Sequence, residues 1–281
     1  MDLLTGISGH LFRLKYKGGQ KQHLYLLSDL HLGSSATYEK RILEDLNEAM
    51  ELNARINING DLLDGILPKD FMRYMPSVVN DKLQGRDDLI NATVDYVVNF
   101  LKPYASNIDE IADGNHELAI LKHHSVDILG MVIDKLNAEC GTDIKHGYYL
   151  GFITYLFEHE SGGCVKHYKI FRNHGTTKSA PVSLGTIEFN RQQAQLGGVD
   201  CIWLGHSHDI TSHPVSIVEP DQCGLPTYYT LRCIRTGGYL LHSKGGYAPN
   251  KGLLPKPHGG AILSIEYRGK GYKDRKVRVT N

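Results

Sequence analysis

Apolar positions in the first half of the chain follow two rhythms. Leu24-Tyr25-Leu26-Leu27 and Ile56 to Asn59 are short runs with the length of buried strands. Between them Ile42, Leu43, Leu46 and Met50 recur at helical spacing, while Glu39, Arg41, Glu44 and Asp45 fall elsewhere on the helix. The pattern predicts a strand, helix, strand unit. A second helix is predicted over Asp88 to Tyr104, where Leu89, Ile90, Val94, Val97, Val98 and Leu101 share a face and Pro103 marks the end. The strand Ile108 to Ala112 follows, and then a third helix, Val126 to Ala138, with Ile128, Leu129, Val132, Ile133 and Leu136 turned inward.

Beyond residue 140 glycine and turn residues become frequent, and the apolar segments shorten to strands. These are Tyr148 to Glu158, His167 to Arg172, Val199 to Leu204, Tyr228 to Ile234 and Ala261 to Tyr267. Gly-Gly pairs at 162–163, 237–238 and 245–246 read as turns between them. Residues 68–86, which include Phe71, Met72, Tyr74 and Met75, read best as a surface helix, with a lid or an interface as alternatives. Residues 244–260, with Pro249, Pro255 and Pro257, read as a long loop. Two β-rich halves with helices mainly in the first predict an α/β layered sandwich, in one domain over residues 1–281.

Composition narrows the class. Hydrophobic residues are 41% and charged residues 22%, which suggests neither disorder nor a fibrous repeat. Lys plus Arg and Asp plus Glu are 31 each, so no global field draws the chain to nucleic acid, and a polyanionic partner must meet a local patch. The basic run Arg268 to Arg278 reads as a solvated terminal hairpin, with a phosphate-backbone patch as the lesser alternative. Five cysteines without a Cys-x-x-Cys pair argue against a disulfide framework or a thiolate zinc site and for a reducing cytoplasm. Met1 to Gln22 lacks the apolar core of a signal peptide, and no stretch approaches the roughly 18 apolar residues of a membrane span. The expectation is a cytoplasmic protein without a membrane partner, its oligomeric state left open.

The chemistry lies in five clusters, each following an apolar or β-forming run: Asp29-Leu30-His31, Gly60-Asp61-Leu62-Leu63-Asp64, Gly114-Asn115-His116-Glu117, Asn173-His174-Gly175 and Gly205-His206-Ser207-His208. Groups at successive strand ends can converge on one sheet edge, where open α/β folds place ligands. In extended backbone, residues i and i+2 point the same way, so Asp29 with His31 and His206 with His208 are expected to aim in pairs. Oxygen and imidazole donors without thiolate suit Mn, Fe, Zn or Co. One shared carboxylate, for which Asp61 is the candidate, would set two cations about 3.5 to 4 Å apart. Gly60, Gly114 and Gly205 would let backbone pass close by. His174 is preferred to His146, His159 and His167 because it follows Tyr168-Lys169-Ile170-Phe171 and precedes a Gly-Thr-Thr turn, like the other strand ends. His123, His124, His213, His242 and His258 read as surface or packing residues, and Cys201 and Trp203 as core.

Taken in order, Asp-x-His, Gly-Asp-x-x-Asp, Gly-Asn-His-Glu, His and Gly-His-x-His resemble the calcineurin-like metallophosphoesterases, from Asp29 to His208. The resemblance implies a four-layer αββα β-sandwich flanked by helices and a dinuclear-metal-dependent hydrolysis of phosphoester bonds. It implies that Asp29, His31, Asp61 and His208 hold one divalent ion and Asp61, Asn115, His174 and His206 the other, with Mn the expected metal. It also implies a metal-bridging hydroxide as nucleophile, His116 as general acid and Asp64 orienting His116. Phosphoserine and phosphothreonine phosphatases of the superfamily typically carry Arg where this chain has Gly65, and the Gly-His-x-His doublet points to the phosphodiesterase and nuclease-like branch. Three readings follow: a phosphodiesterase or phosphatase of small or nucleotide-like substrates, a DNA nuclease of the Mre11 type, and a non-catalytic metal-binding scaffold. A nuclease needs phosphate-contacting bases near the site, for which Lys178, Arg172 and Arg191 are the candidates.

Overall fold

A computed structural model describes residues 6–17, 19–64, 78–162, 165–176, 183, 185–221, 223–242, 249, 252, 254–267 and 275–281, and these form twelve strands and five α-helices. The strands are β1 (Ile7–Tyr16), β2 (Lys21–Leu27), β3 (Arg55–Asn59), β4 (Ile108–Ala112), β5 (Lys145–Gly147), β6 (Leu150–His159), β7 (Val165–Asn173), β8 (Cys201–Leu204), β9 (Thr211–Pro220), β10 (Pro226–Arg235), β11 (Ala261–Tyr267) and β12 (Arg275–Thr280). The helices are α1 (Glu39–Glu51), α2 (Leu89–Leu101), α3 (Asn115–His124), α4 (Ile128–Cys140) and α5 (Thr186–Gln193). They build two six-stranded sheets, one in the order β1-β6-β7-β8-β10-β9 and the other β12-β11-β2-β3-β4-β5.

Three apolar clusters cement four layers. Tyr25, Leu27, Ile56 and Ile58 of the second sheet pack against Ile42 and Leu46 of α1, Val94 and Val97 of α2 and Leu129 and Val132 of α4. On its other face Leu24 and Leu26 meet Ile153, Tyr155, Ile170, Cys201 and Trp203 of the first sheet, with both Cys201 and Trp203 fully buried. The outer face of the first sheet, through Phe171, Ile202 and Leu204, receives Phe189 of α5. The alternation of β2, whose successive residues serve opposite clusters, is what makes it a central strand buried on both faces. The layering is αββα.

Within this frame β2, β3 and β4 run parallel, so their C-terminal ends lie at one edge. Strands β7 and β8 are parallel to each other, paired from Ile170↔Cys201 to Asn173↔Leu204, and also end together. Among the described residues no helix is long and apolar enough to cross a membrane.

Several sequence expectations change. The buried face of α1 is Ile42, Asp45, Leu46 and Ala49, whereas Leu43 and Met50 are exposed. Asp45 is tolerated inside because Tyr239, Arg41 and the Gly260 amide bind it. Residues 78–86 form turns, not a helix, with Leu83 buried, while 65–77, including Phe71 to Met75, lie outside the described residues. Gly237 and Gly238 do not close a hairpin. Gly237 donates to Gly259 O, and the His208 ring lies against Gly238. Strand β12 does pair with β11 as a hairpin arm, but Arg275 is mostly buried in an ion pair with Asp200. Strands β1, β5 and β9 and helices α3 and α5 were not foreseen.

Candidate metal centre

Each candidate cluster lies at or just beyond the end of a strand, that of Asn115 to Glu117 in the first turn of α3, and β2 and β3 keep pairing into the loops that follow them. The amides of Asp29, His31 and Leu32 donate to Gly60 O, Asp61 O and Leu62 O at 3.0, 3.0 and 2.9 Å. The backbone there is not extended. Seven described non-glycine residues have positive φ, and five of them are Asp29 (56°), His31 (50°), Asp61 (49°), His206 (65°) and His208 (56°). Left-handed backbone costs about 1–3 kcal/mol at such residues and persists only where surroundings over-determine it. The expected alternation of i and i+2 along a strand is therefore replaced by tight left-handed turns that aim the side chains inward.

Of three groups of donor atoms that lie within 4.8 Å of one another among the described residues, one is His31, Asp64 and His116, and the other two are Asp29, His31 and His208, and Asp61, His174 and His206. Asp61 Oδ2 links them, at 3.2 Å from His174 Nε2 and 4.0 Å from His31 Nε2, while Oδ1 accepts from the His116 amide at 2.9 Å. His208 Nε2 lies 3.3 Å from Asp29 Oδ1 and 3.3 Å from His31 Nε2, and both Asp29 oxygens accept from the His206 amide. Asn115 is the first residue of α3, at the same edge. Glycine is required where these loops cross. A Cβ on Gly60, at φ +78°, would collide with the His174 ring and with Gly114 Cα, and one on Gly114 would collide with Asp61.

Whether cations suit this set can be judged from its buried polar atoms. Among the described residues Asn115 Oδ1 and His206 Nδ1 are buried without a hydrogen bond. Nδ1–H of His174 donates to Asn59 O at 2.8 Å, which leaves Nε2 as the ring nitrogen that faces the Asp61 carboxylate, at 3.2 Å from Oδ2. Buried acceptors rarely go unpaired in folded proteins. A donor set of this composition fits divalent ions of the first transition row.

Charge is strongly organised here. Burial and the neighbouring His116 push His31 down to about 4. Burial works against charge at His174, but Asp61 and Asp29 prevail and push it up to about 10. Despite burial, His174 and His208 hold Asp29 at about 2, and His174 and His116 hold Asp61 well below the usual carboxylate range. Burial and His174 lower His206.

Beside the two groups, His116 Nδ1 lies 3.1 Å from Asp64 Oδ1, and its ring meets that of His31 edge-on at 4.7 Å. Burial opposes protonation of His116, yet Asp61, Asp64 and Glu117 push it up to about 9. Asp64 is held below its ordinary value by His116 against its own burial. The structure thus brings together Asp29, His31, Asp61, His174, His206 and His208, and sets Asp64 against His116.

Sequence reasoning missed the part played by Glu117. Its buried carboxylate accepts from the amides of Gly114 (2.7 Å), Asp61 (3.0 Å) and Leu63 (3.1 Å), tying the loop before α3 to the loop after β3. Burial and Asp61 push it up to about 7 against those amides. Glu three residues after Gly114 is a helix-start signal that was there to read. The competing histidines lie elsewhere: His146 pairs with Asp113, and His159 with Ser161. Arg172 is not a phosphate contact, because it is fully buried with Glu110, Ser8 and Tyr148 O. Arg191 is exposed on α5, and Lys178 lies outside the described residues.

No protein family matches the sequence, and no curated protein does. Solved structures similar to this chain include the calcineurin-like phosphoesterase YfkN of Bacillus subtilis, with 12% identity, TM-score 0.39, and 93% of this chain and 90% of that chain covered. A conserved uncharacterized protein of Streptococcus pneumoniae TIGR4, described as a predicted phosphoesterase, has 12% identity, TM-score 0.33, and 88% and 84% coverage. A metallophosphoesterase of Sphaerobacter thermophilus has 11% identity, TM-score 0.31, and 92% and 89% coverage. Likeness this distant decides no activity for the chain, and its own geometry must do so.

Proposed function

We propose that this chain is a dinuclear-metal-dependent phosphoester hydrolase of the calcineurin-like metallophosphoesterase type. The observation that carries the reading is one carboxylate oxygen, Asp61 Oδ2, facing imidazoles of both donor groups, beside buried Asn115 Oδ1 and His206 Nδ1, which have no hydrogen bond among the described residues. Asp29, His31, Asp61 and His208 would hold one ion and Asp61, Asn115, His174 and His206 the other, with Mn the preferred metal. Bound there, the ions supply positive charge at the phosphoryl oxygens and lower the pKa of water. The chain's own contribution is the proton. With Nδ1 of His116 turned to Asp64, Nε2 is the ring nitrogen that would deliver a proton to the departing oxygen, and Asp64 fixes that orientation.

A phosphodiesterase or phosphatase of small or nucleotide-like esters is preferred to a DNA nuclease. Support comes from Arg172, one of the basic candidates for backbone contact, which is sealed inside an ion pair. The described cysteines Cys140, Cys201, Cys223 and Cys233 are free thiols, in keeping with a reducing compartment such as the cytoplasm.

The test is an assay with Mn of bis-p-nitrophenyl phosphate, p-nitrophenyl phosphate and labelled single- and double-stranded DNA. Hydrolysis of the small esters, lost on chelation, is the expected result. DNA cleavage far above the small esters would put the nuclease first, and two bound ions without any hydrolysis would leave the scaffold.

A further inference from the structure

Two of the loops that carry imidazole donors meet over a buried ion pair that belongs to neither donor group. Arg235, the last residue of β10, is fully buried, and its guanidinium reaches Glu188 Oε2 of α5 at 2.9 Å. From the same fork Nη1 donates to Gly205 O at 3.2 Å and to Ser207 Oγ at 3.0 Å, on either side of His206, and Nη2 also reaches Gly185 O at 3.4 Å. The other oxygen of Glu188, Oε1, accepts from the Thr176 amide at 3.4 Å, two residues past His174. Phe189 lies under the guanidinium, 5.4 Å from its centre.

The pair thus spans the 174–176 and 205–208 segments, which are also joined by the Gly205 amide donating to His174 O at 3.0 Å. His206 and His208 both sit in left-handed backbone, a conformation that needs outside support to persist. Arginine suits the place because one planar fork serves several acceptors at once, which a lysine ammonium on its flexible stem does not.

We infer that Arg235 and Glu188 are positioning residues for the metal centre, holding His174, His206 and His208 in register through the two loops. This rests on the two-cation reading above. Partners bonded to the ligands themselves typically change metal affinity by about 10- to 100-fold when lost; Arg235 and Glu188 act through Gly205, Ser207 and Thr176, which flank the ligands, and an effect within that span is expected of them.

Removing Arg235 alone would strand a buried carboxylate and confound folding with binding, whereas replacing both members by apolar residues often leaves stability intact. The experiment is therefore calorimetric titration of Mn into chelator-stripped wild type, Arg235→Met/Glu188→Leu and Arg235→Lys, with melting of the metal-free proteins and EPR of the loaded ones. Two ions are expected on wild type. The double variant should melt within a few degrees of it, bind Mn about 10- to 100-fold more weakly, and lose the EPR signature of a coupled pair to that of isolated ions. Arg235→Lys, which keeps the charge but not the fork, should fall between the two. Wild-type affinity and an intact coupled signal in the folded double variant would overturn the inference; if that variant does not fold, the same result in Arg235→Lys would overturn it. Absence of an ion pair on wild type would instead strike at the metal-centre reading and take this inference with it.

Discussion

Asp61 divides its work between two oxygens. Oδ1 is held by the His116 amide, so Oδ2 is the atom left to face His174 and His31. The same hydrogen bond holds the His116 backbone beside the Asp61 carboxylate, and Asp64 secures the ring at Nδ1, leaving Nε2 for the departing oxygen. Replacing His116 by Ala removes the ring while leaving the amide and every donor atom in place. Turnover of an ester with a poor leaving group should drop by about 10²–10⁴-fold, p-nitrophenyl esters should suffer less because their leaving group needs no proton, and Mn stoichiometry should stay at the wild-type value. Steady-state kinetics on a matched pair of esters and a titration read this out. Equal losses on both leaving groups would remove His116 from the proton-delivery role.

At the scale of elements, the site depends on where strands stop and how the next turn is made. Helix α3 begins in the site itself, with Asn115 and His116 as its first two residues and Glu117 reaching back to Gly114 N. Glu117→Gln would set an amide NH2 against a backbone N–H that now has an acceptor. The cost should be about 1–3 kcal/mol of stability, seen as a lower urea midpoint with an unchanged slope. An unchanged midpoint would show that the clamp between the two loops contributes nothing. Helix α3 escaped the periodicity argument because only Glu117 and Ile120 among its residues are buried, so it has almost no apolar stripe. Strand β9 hid for a similar reason: its residues alternate between exposed and half-buried, and Pro214 and Pro220 interrupt the pattern. By contrast β2 and α2 are nearly all apolar on their buried sides and were legible within a few residues, as were β3 and β4, although these also bury Asn57, Asn59, Asp109 and Glu110. Asp45 on α1 shows the limit of that logic, since its partners Tyr239 and Gly260 lie about two hundred residues away in the chain and no local pattern predicts them.

Across the whole molecule, the two sheets supply the site from both sides. Strands β2, β3 and β4 deliver Asp29, Asp61 and Asn115, and β7 and β8 of the facing sheet deliver His174, His206 and His208. Residue identities and their order along the chain were readable because each cluster follows a strand-like run. The left-handed backbone that aims them, and the Arg235–Glu188 pair beneath, were not, because both arise from contacts between distant segments. The inter-sheet core of Leu24, Leu26, Ile170 and Trp203 fixes how far apart the two sets of donors stand. Anomalous scattering from a crystal soaked in manganese measures that outcome most directly. Two peaks about 3.5 to 4 Å apart, flanking Asp61, with His31 and His208 toward one and His174 and His206 toward the other, are what this account predicts. No peak beside Asp61, or a single ion bound by other residues, would contradict it.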